Sequence, residues 1–211
     1  MGYVLMDDID TICANSFRNF HTKGFDYLCL SRTPELTRKV YFFEGNLADL
    51  PELVIPHDHR YPFVTTVLSG AVVNKSFTRL RNGPAADVVD LWERVTDAYD
   101  HFEYRTPLNG GDGFSWVGEC RMMAHPSSTR HIRGAFWKSS ETEIHTLDIR
   151  CEGTVIMLEQ LADVVPLDEP TNAYRKVGDR SPPSLDGLYD RMDADHARKR
   201  IGQFLDLVGN R

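Results

Sequence analysis

Hydrophobic positions along this chain alternate over short stretches far more often than they follow a helical stripe. Near the start, Ile9, Ile12, Cys13, Phe17 and Phe20 recur at helical spacing, and Asp7 or Asp8 can cap them, so residues 7–20 read as a helix ended by Lys23-Gly24. Phe25–Ser31 and Arg38–Phe43 are short, aromatic and β-branched, and read as strands. Asn46–Leu53 reads as a loop or a turn of helix. Phe63–Leu68 and Ala71–Leu80 flank Ser69-Gly70, a hairpin turn. After the breaker Arg81-Asn82-Gly83-Pro84, Val88–Tyr104 carries near-helical spacing, with a strand excursion as the alternative. Asn109–Gly113 is a glycine-rich loop, a lid or simply a long turn.

Four further runs, Phe114–Ala124, His131–Lys138, Glu143–Arg150 and Thr154–Gln160, read as strands, the last two joined by a turn at Glu152-Gly153. Pro166–Pro183 is polar and proline-rich, a surface connector. Leu185–Val208 reads as a C-terminal helix with Leu188, Met192, Ile201, Phe204, Leu205 and Val208 on one side. Many short strands between two terminal helices predict a mainly β fold, a barrel or sandwich with α appendages. One domain is expected over residues 1–211, with the barrel at about 25–165.

Composition narrows the function. Hydrophobic residues make up 41% and charged residues 26%, ordinary for a globular chain. The net charge of −7 disfavours nucleic acid as a partner, because phosphate neutralisation needs a basic face. No apolar run approaches the ~20 residues that span a bilayer, so no membrane is expected. The start, Met1-Gly2-Tyr3-Val4, lacks the basic region of a signal peptide, and Cys13, Cys29, Cys120 and Cys151 are scattered without a CxxC pair. A reducing cytoplasm is the expected setting. Asn74-Lys75-Ser76 matches a glycosylation sequon, which carries no weight without an export signal.

The candidate chemistry is metal binding. In Pro56-His57-Asp58-His59, read as a strand, the two imidazoles share one face and both can reach one ion. His145, inside another strand-like run, is the third candidate, with His131 and Glu143 as rivals. Asp58 points away from the two imidazoles. Arg60 faces the other side as well, while Tyr61 follows the ligand strand toward the cavity mouth. His101 and His196 read as solvated surface residues. A substrate carboxylate would want an arginine, and Arg38, Arg79, Arg81 and Arg133 lie on or beside predicted strands. No nucleophile elbow, phosphate loop or zinc-knuckle spacing is present.

These residues resemble the cupin superfamily. Its first motif places His-x-His before a hairpin glycine, matched by His57-Asp58-His59 and Gly70. Its second places a histidine on a later strand, matched by Glu143–Leu147 followed by Gly153–Leu158. The likeness covers about residues 38–160 and leaves both helices outside. It implies a jelly-roll β-barrel. The motif's acid is missing, since Phe63 or Val64 stands in its place, so a three-histidine site is implied, similar to that of the cysteine dioxygenase-like branch. Val64 also stands near the place of the cysteine that some of those enzymes cross-link to tyrosine. The resemblance implies Fe(II) held by His57, His59 and His145, with Zn, Mn or Ni as alternatives. It further implies a mononuclear non-haem oxygenase with O2 and a small chelating substrate as reactants, the alternatives being a non-oxidative metal-dependent isomerase, lyase or hydrolase or a non-catalytic small-ligand-binding cupin, and it is compatible with a homodimer. Arg38 is similar in place to the arginine that binds the substrate carboxylate in that branch. Glu143 shares the face of His145, where it contacts water or substrate or replaces the missing acid. Catalytic roles are therefore expected for Arg38, Glu143 and Tyr61.

Overall fold

The computed structural model describes residues 6–20, 24–44, 55–80, 95–106, 110–126, 129–178, 180–181, 187 and 189–209. Helix α1 spans Ile9–Asn15 and is capped by Asp8, whose carboxylate accepts from the backbone N–H groups of Asp10 and Thr11. The strands that follow are β1 (Phe17–Arg18), β2 (Phe25–Arg32), β3 (Leu36–Phe43), β4 (Phe63–Ser69), β5 (Ala71–Leu80), β6 (Asp97–Arg105) and β7 (Gly113–Ala124). Then come β8 (Thr129–Ile132), β9 (Phe136–Ser139), β10 (Ile144–Ile149), β11 (Thr154–Leu161), β12 (Thr171–Lys176), β13 (Asp190–Arg191) and helix α2 (Ala194–Gly209).

The strands form two antiparallel sheets. One runs β13-β1-β2-β3-β11-β4-β9, and the other β10-β5-β7-β6-β12 with β8 also on β5. The fold is mainly β and of the jelly-roll class. The expected β4–β5 hairpin is not formed, since the two strands lie in different sheets, but the tight turn that passes the chain between the sheets requires glycine. Gly70 has φ +74°, and a Cβ there would lie 2.9 Å from the Thr154 backbone.

Strand alternation divides the core. On the outer face of the first sheet, Leu28, Leu30, Val40 and Phe42 pack against Ile12, Ala197 and Phe204 of the helices. On its inner face, Phe25, Phe43, Val67 and Ile156 meet Val72 and Ile149 of the second sheet. Helix α2 is also held by charge. Arg200, 2% exposed, donates to Asp26 from Nε (2.9 Å) and Nη2 (2.6 Å) and to Glu44 from Nη1 and Nη2. His196 Nε2 lies 2.6 Å from the same Asp26 oxygen, so this histidine belongs to the helix–sheet junction and not to the surface.

Several expectations are corrected. Residues 97–105 are a strand, because Tyr99 and Phe102 are buried against partners on both sides; the expected helix from Val88 to residue 94 lies outside the described residues. The run His131–Lys138 is two strands, broken at Gly134 with φ +87°. The polar connector 166–183 contains β12, paired along its length with β6. The first helix is half its expected length, since Phe17–Arg18 pairs with β2 and β13. Helix α2 starts at Ala194 and not at 185. Expectations for Asn46–Leu53 and Arg81–Pro84 fall largely or wholly outside the described residues.

Removing Asp26 leaves a buried guanidinium with only Glu44 and Gln203 as partners. Asp26→Ala is expected to lower the free energy of unfolding by about 3 kcal/mol in urea titrations, whereas Asp26→Leu combined with Arg200→Met recovers most of that loss.

Candidate metal centre

The three candidate histidines meet because of backbone pairing. His57 N–H donates to His145 C=O and His145 N–H donates to His57 C=O, both at 3.0 Å. On the other side, Tyr174 N–H donates to Pro56 C=O (2.8 Å) and Asp58 N–H to Asn172 C=O (3.1 Å). The segment thus bridges β10 and β12, the two edges of the second sheet. His59 N–H is taken by Glu141 C=O at 3.1 Å.

The ring nitrogens of His57, His59 and His145 lie within 4.8 Å of one another. His59 Nε2 and His145 Nε2 are 2.9 Å apart. His57 Nδ1 sits 3.0 Å from Ile55 C=O, which only accepts, so Nδ1 carries the proton and Nε2 keeps its lone pair. His145 is oriented through a chain. Ser76 Oγ donates to Glu143 Oε1 at 2.9 Å, the Asn74 amide nitrogen reaches the same oxygen at 3.5 Å, and Asn74 Oδ1 lies 2.7 Å from His145 Nδ1. Glu143 accepts, so it fixes which end of the Asn74 amide faces His145. His145 Nδ1 then donates, and Nε2 is left free.

Burial disfavours the charged form of His145 and His57. His145 is 3% exposed, and its pKa falls from about 6.5 to about 3, through desolvation first and the nearby His57 second. Burial lowers His57 too. Neutral imidazoles with directed Nε2 lone pairs are what a divalent metal needs. The donor set fits a divalent metal, to which His57, His59 and His145 would each offer one ring nitrogen.

The other candidates are placed as follows. Tyr61 is near, its ring 5.6 Å from that of His59. Glu143 reaches the site through Asn74 and Ser76. Arg38 is not brought to the imidazoles: it alternates with inward Lys39 and pairs with Glu159 at 3.1 Å on the outer face. Arg79 shares the β5 face of Phe77, opposite Ser76, and lines a cavity of about 510 Å³ together with Asp58, His59, Phe77, Ile144 and Tyr174. His131 stacks on Trp137 with ring centroids 4.1 Å apart. Asp58 points away, accepting from the Asn172 N–H and amide at 2.6 Å each. His101, expected on the surface, is 5% exposed, stacked on Tyr174 and 2.7 Å from Asn172 Oδ1. Arg60 fastens the 165–169 segment through the carbonyls of Val165, Pro166 and Glu169.

Sequence reading missed Asn74, Ser76, Asn172 and Lys39. The signal for the first two was available, since both share one face of the predicted β5 strand.

Neither a family model nor a curated protein matches the chain. Among solved structures, KdgF from Halomonas sp. aligns at 12% identity over 65% of this chain and 81% of that one, with TM-score 0.33. The Fe(II) form of HppE aligns at 12% identity over 75% and 60%, with TM-score 0.38. Hydroxypropylphosphonic acid epoxidase from S. wedmorenis aligns at 13% over 75% and 59%, with TM-score 0.36. At that level the alignments decide neither substrate nor reaction. Among the described residues, no helix is long and apolar enough to cross a membrane.

Two outcomes follow from this geometry. Asn74→Ala is expected to weaken metal affinity by about 10- to 100-fold in competition titrations, with the circular dichroism spectrum unchanged. In the metal-free protein, stability present above pH 6.5 is lost progressively as pH falls toward 3, because the unfolded chain takes up the His145 proton first. Urea midpoints measured across that window should fall less steeply in His145→Gln.

Proposed function

We propose that this protein is a metal-dependent enzyme of the cupin type, with a single divalent metal held by His57, His59 and His145. The observation that carries this reading is the convergence of three imidazoles, one buried and two half-buried, with two of them facing each other at 2.9 Å. When bound, such an ion supplies Lewis-acid or one-electron chemistry at open coordination positions. The finer reading is an Fe(II) oxygenase that joins O2 to a small metal-chelating substrate of thiol, amino-acid or enolate type. Three neutral donors leave the dication's charge uncompensated, which favours an anionic substrate atom beside it.

The chain's own residues have defined tasks in this reading. Glu143 and Ser76 hold Asn74, and Asn74 holds the His145 proton on Nδ1, away from the metal side. Phe63, 1% exposed with its ring 4.6 Å from His59 and 5.6 Å from His145, walls the site against water. Tyr61 presents its ring to His59 from the opposite end of the same short segment.

Elemental analysis of anaerobically purified protein tests the proposal, with His57→Ala and His145→Ala alongside. Near-stoichiometric iron, lost in both variants, and oxygen uptake with a thiol, amino-acid or enolate substrate are the expected results. Zinc or manganese without oxygen uptake would replace the oxygenase with a non-oxidative metal enzyme. Full metal retention in His145→Ala would overturn the three-histidine centre.

A further inference from the structure

The inner face of the first sheet is unusually polar beneath the imidazoles. Cross-strand pairing sets Lys39 of β3, Leu158 of β11, Thr65 of β4 and Trp137 of β9 in one row. Two residues along, Phe63 and Ser139 are partners on the same face, and the Phe63 ring touches His59 and His145. Alternation with Val40 and Phe42, which pack under the helices, points Lys39 inward.

Lys39 is 6% exposed. Its ammonium donates to Tyr61 Oη at 3.2 Å and lies 4.8 Å from the Tyr61 ring and 5.5 Å from the Tyr27 ring. Among the described residues no carboxylate pairs with it. A buried ammonium is normally neutralised by an acid, as Arg200 is by Asp26 and Glu44. The same face holds three buried polar atoms without a hydrogen-bond partner: Thr65 Oγ1, Trp137 Nε1 and Ser139 Oγ. Only one other such atom, Asp100 Oδ2, occurs among the described residues. Orphaned polar groups of this kind are rare in folded proteins, and three of the four lie on one sheet face, on the neighbouring strands β4 and β9.

We infer that this face is the anion-binding half of the substrate site, with the Lys39 ammonium pairing the carboxylate or phosphate-type terminus of a small organic anion. The inference rests on the metal-centre reading, which puts the reacting end of that molecule at the imidazoles. The hydroxyls of Thr65 and Ser139 and the Trp137 indole N–H meet its remaining polar atoms. Tyr61 sets the scale: its ring adjoins His59 and its hydroxyl accepts from Lys39, so the anionic terminus and the reacting atom are separated by little more than one aromatic side chain. Arg38, which the sequence offered for this role, pairs instead with Glu159 on the outer face. Lys39 supplies a single point charge in place of a two-pronged fork, which suits an end-on oxyanion.

The test is thermal unfolding of the full chain, metal-free and metal-loaded, titrated with acetate and with inorganic phosphate against chloride at equal ionic strength. Wild type is expected to show a saturable rise in Tm with one of the two anions, which identifies the terminus. Lys39→Met should weaken that anion by about 10- to 100-fold and Lys39→Arg by less. Without anion, Lys39→Met should unfold at or above the wild-type temperature, since it removes an unneutralised buried charge, and should load metal as wild type does. No saturable response in wild type, or an equal response in Lys39→Met, overturns the inference. A wild type that binds the anion through Lys39 yet takes up no metal supports this face as an anion site and sinks the metal centre alone.

Discussion

Everything at the candidate centre depends on one stretch of backbone pairing, the three residues Pro56, His57 and Asp58 hydrogen-bonded on both sides. His57 spends its N–H and its C=O on His145, while the Pro56 C=O accepts from Tyr174 N–H and the Asp58 N–H donates to Asn172 C=O. A slip of one residue would send both imidazoles to the opposite face and bring Asp58 inward. The register is guarded from two directions. Asp58 is locked by the Asn172 backbone and amide, and Arg60 is locked by the carbonyls of the 165–169 segment. The charged residues between and after the histidines therefore act as anchors that keep the neutral ones in place.

Much of this was legible in the sequence, because it rests on alternation. His57 and His59 on one face, Gly70 at a tight turn, and His145 on a later strand all follow from a period of two. What was not legible came from contacts distant along the chain. Strand β12 hides in a polar, proline-flanked connector, and only its partners β6 and the Pro56–Asp58 segment make it a strand. Asn74 and Ser76 were visible as a sequon, yet their use depends on Glu143 lying across the sheet. Arg38 and Lys39 show the limit of composition most plainly. Arginine is the better carboxylate binder in general, but the strand turns Arg38 outward to Glu159 and its neighbour inward.

Two buried cations illustrate how burial separates structure from chemistry. Arg200 has two carboxylates and a carboxamide around it, and it fastens a helix to a sheet. Lys39 has a phenol and two ring faces, and the atoms near it are equally short of partners. The first arrangement is complete without help from outside the chain. In the second, no carboxylate among the described residues pairs with the ammonium, and that is where a ligand is inferred.

The bridging of the second sheet's two edges also bears on how the chain reaches its native state. Residue 57 meets 145 and 173, contacts that span most of the sequence and carry a large loop-closure entropy. Hairpins such as β2–β3 and β6–β7 close over far shorter loops. The three histidines meet only once the long-range pairing of the Pro56–Asp58 segment is made. An ion bound among them acts as a clasp on the finished topology, slowing its local opening while leaving those hairpins untouched.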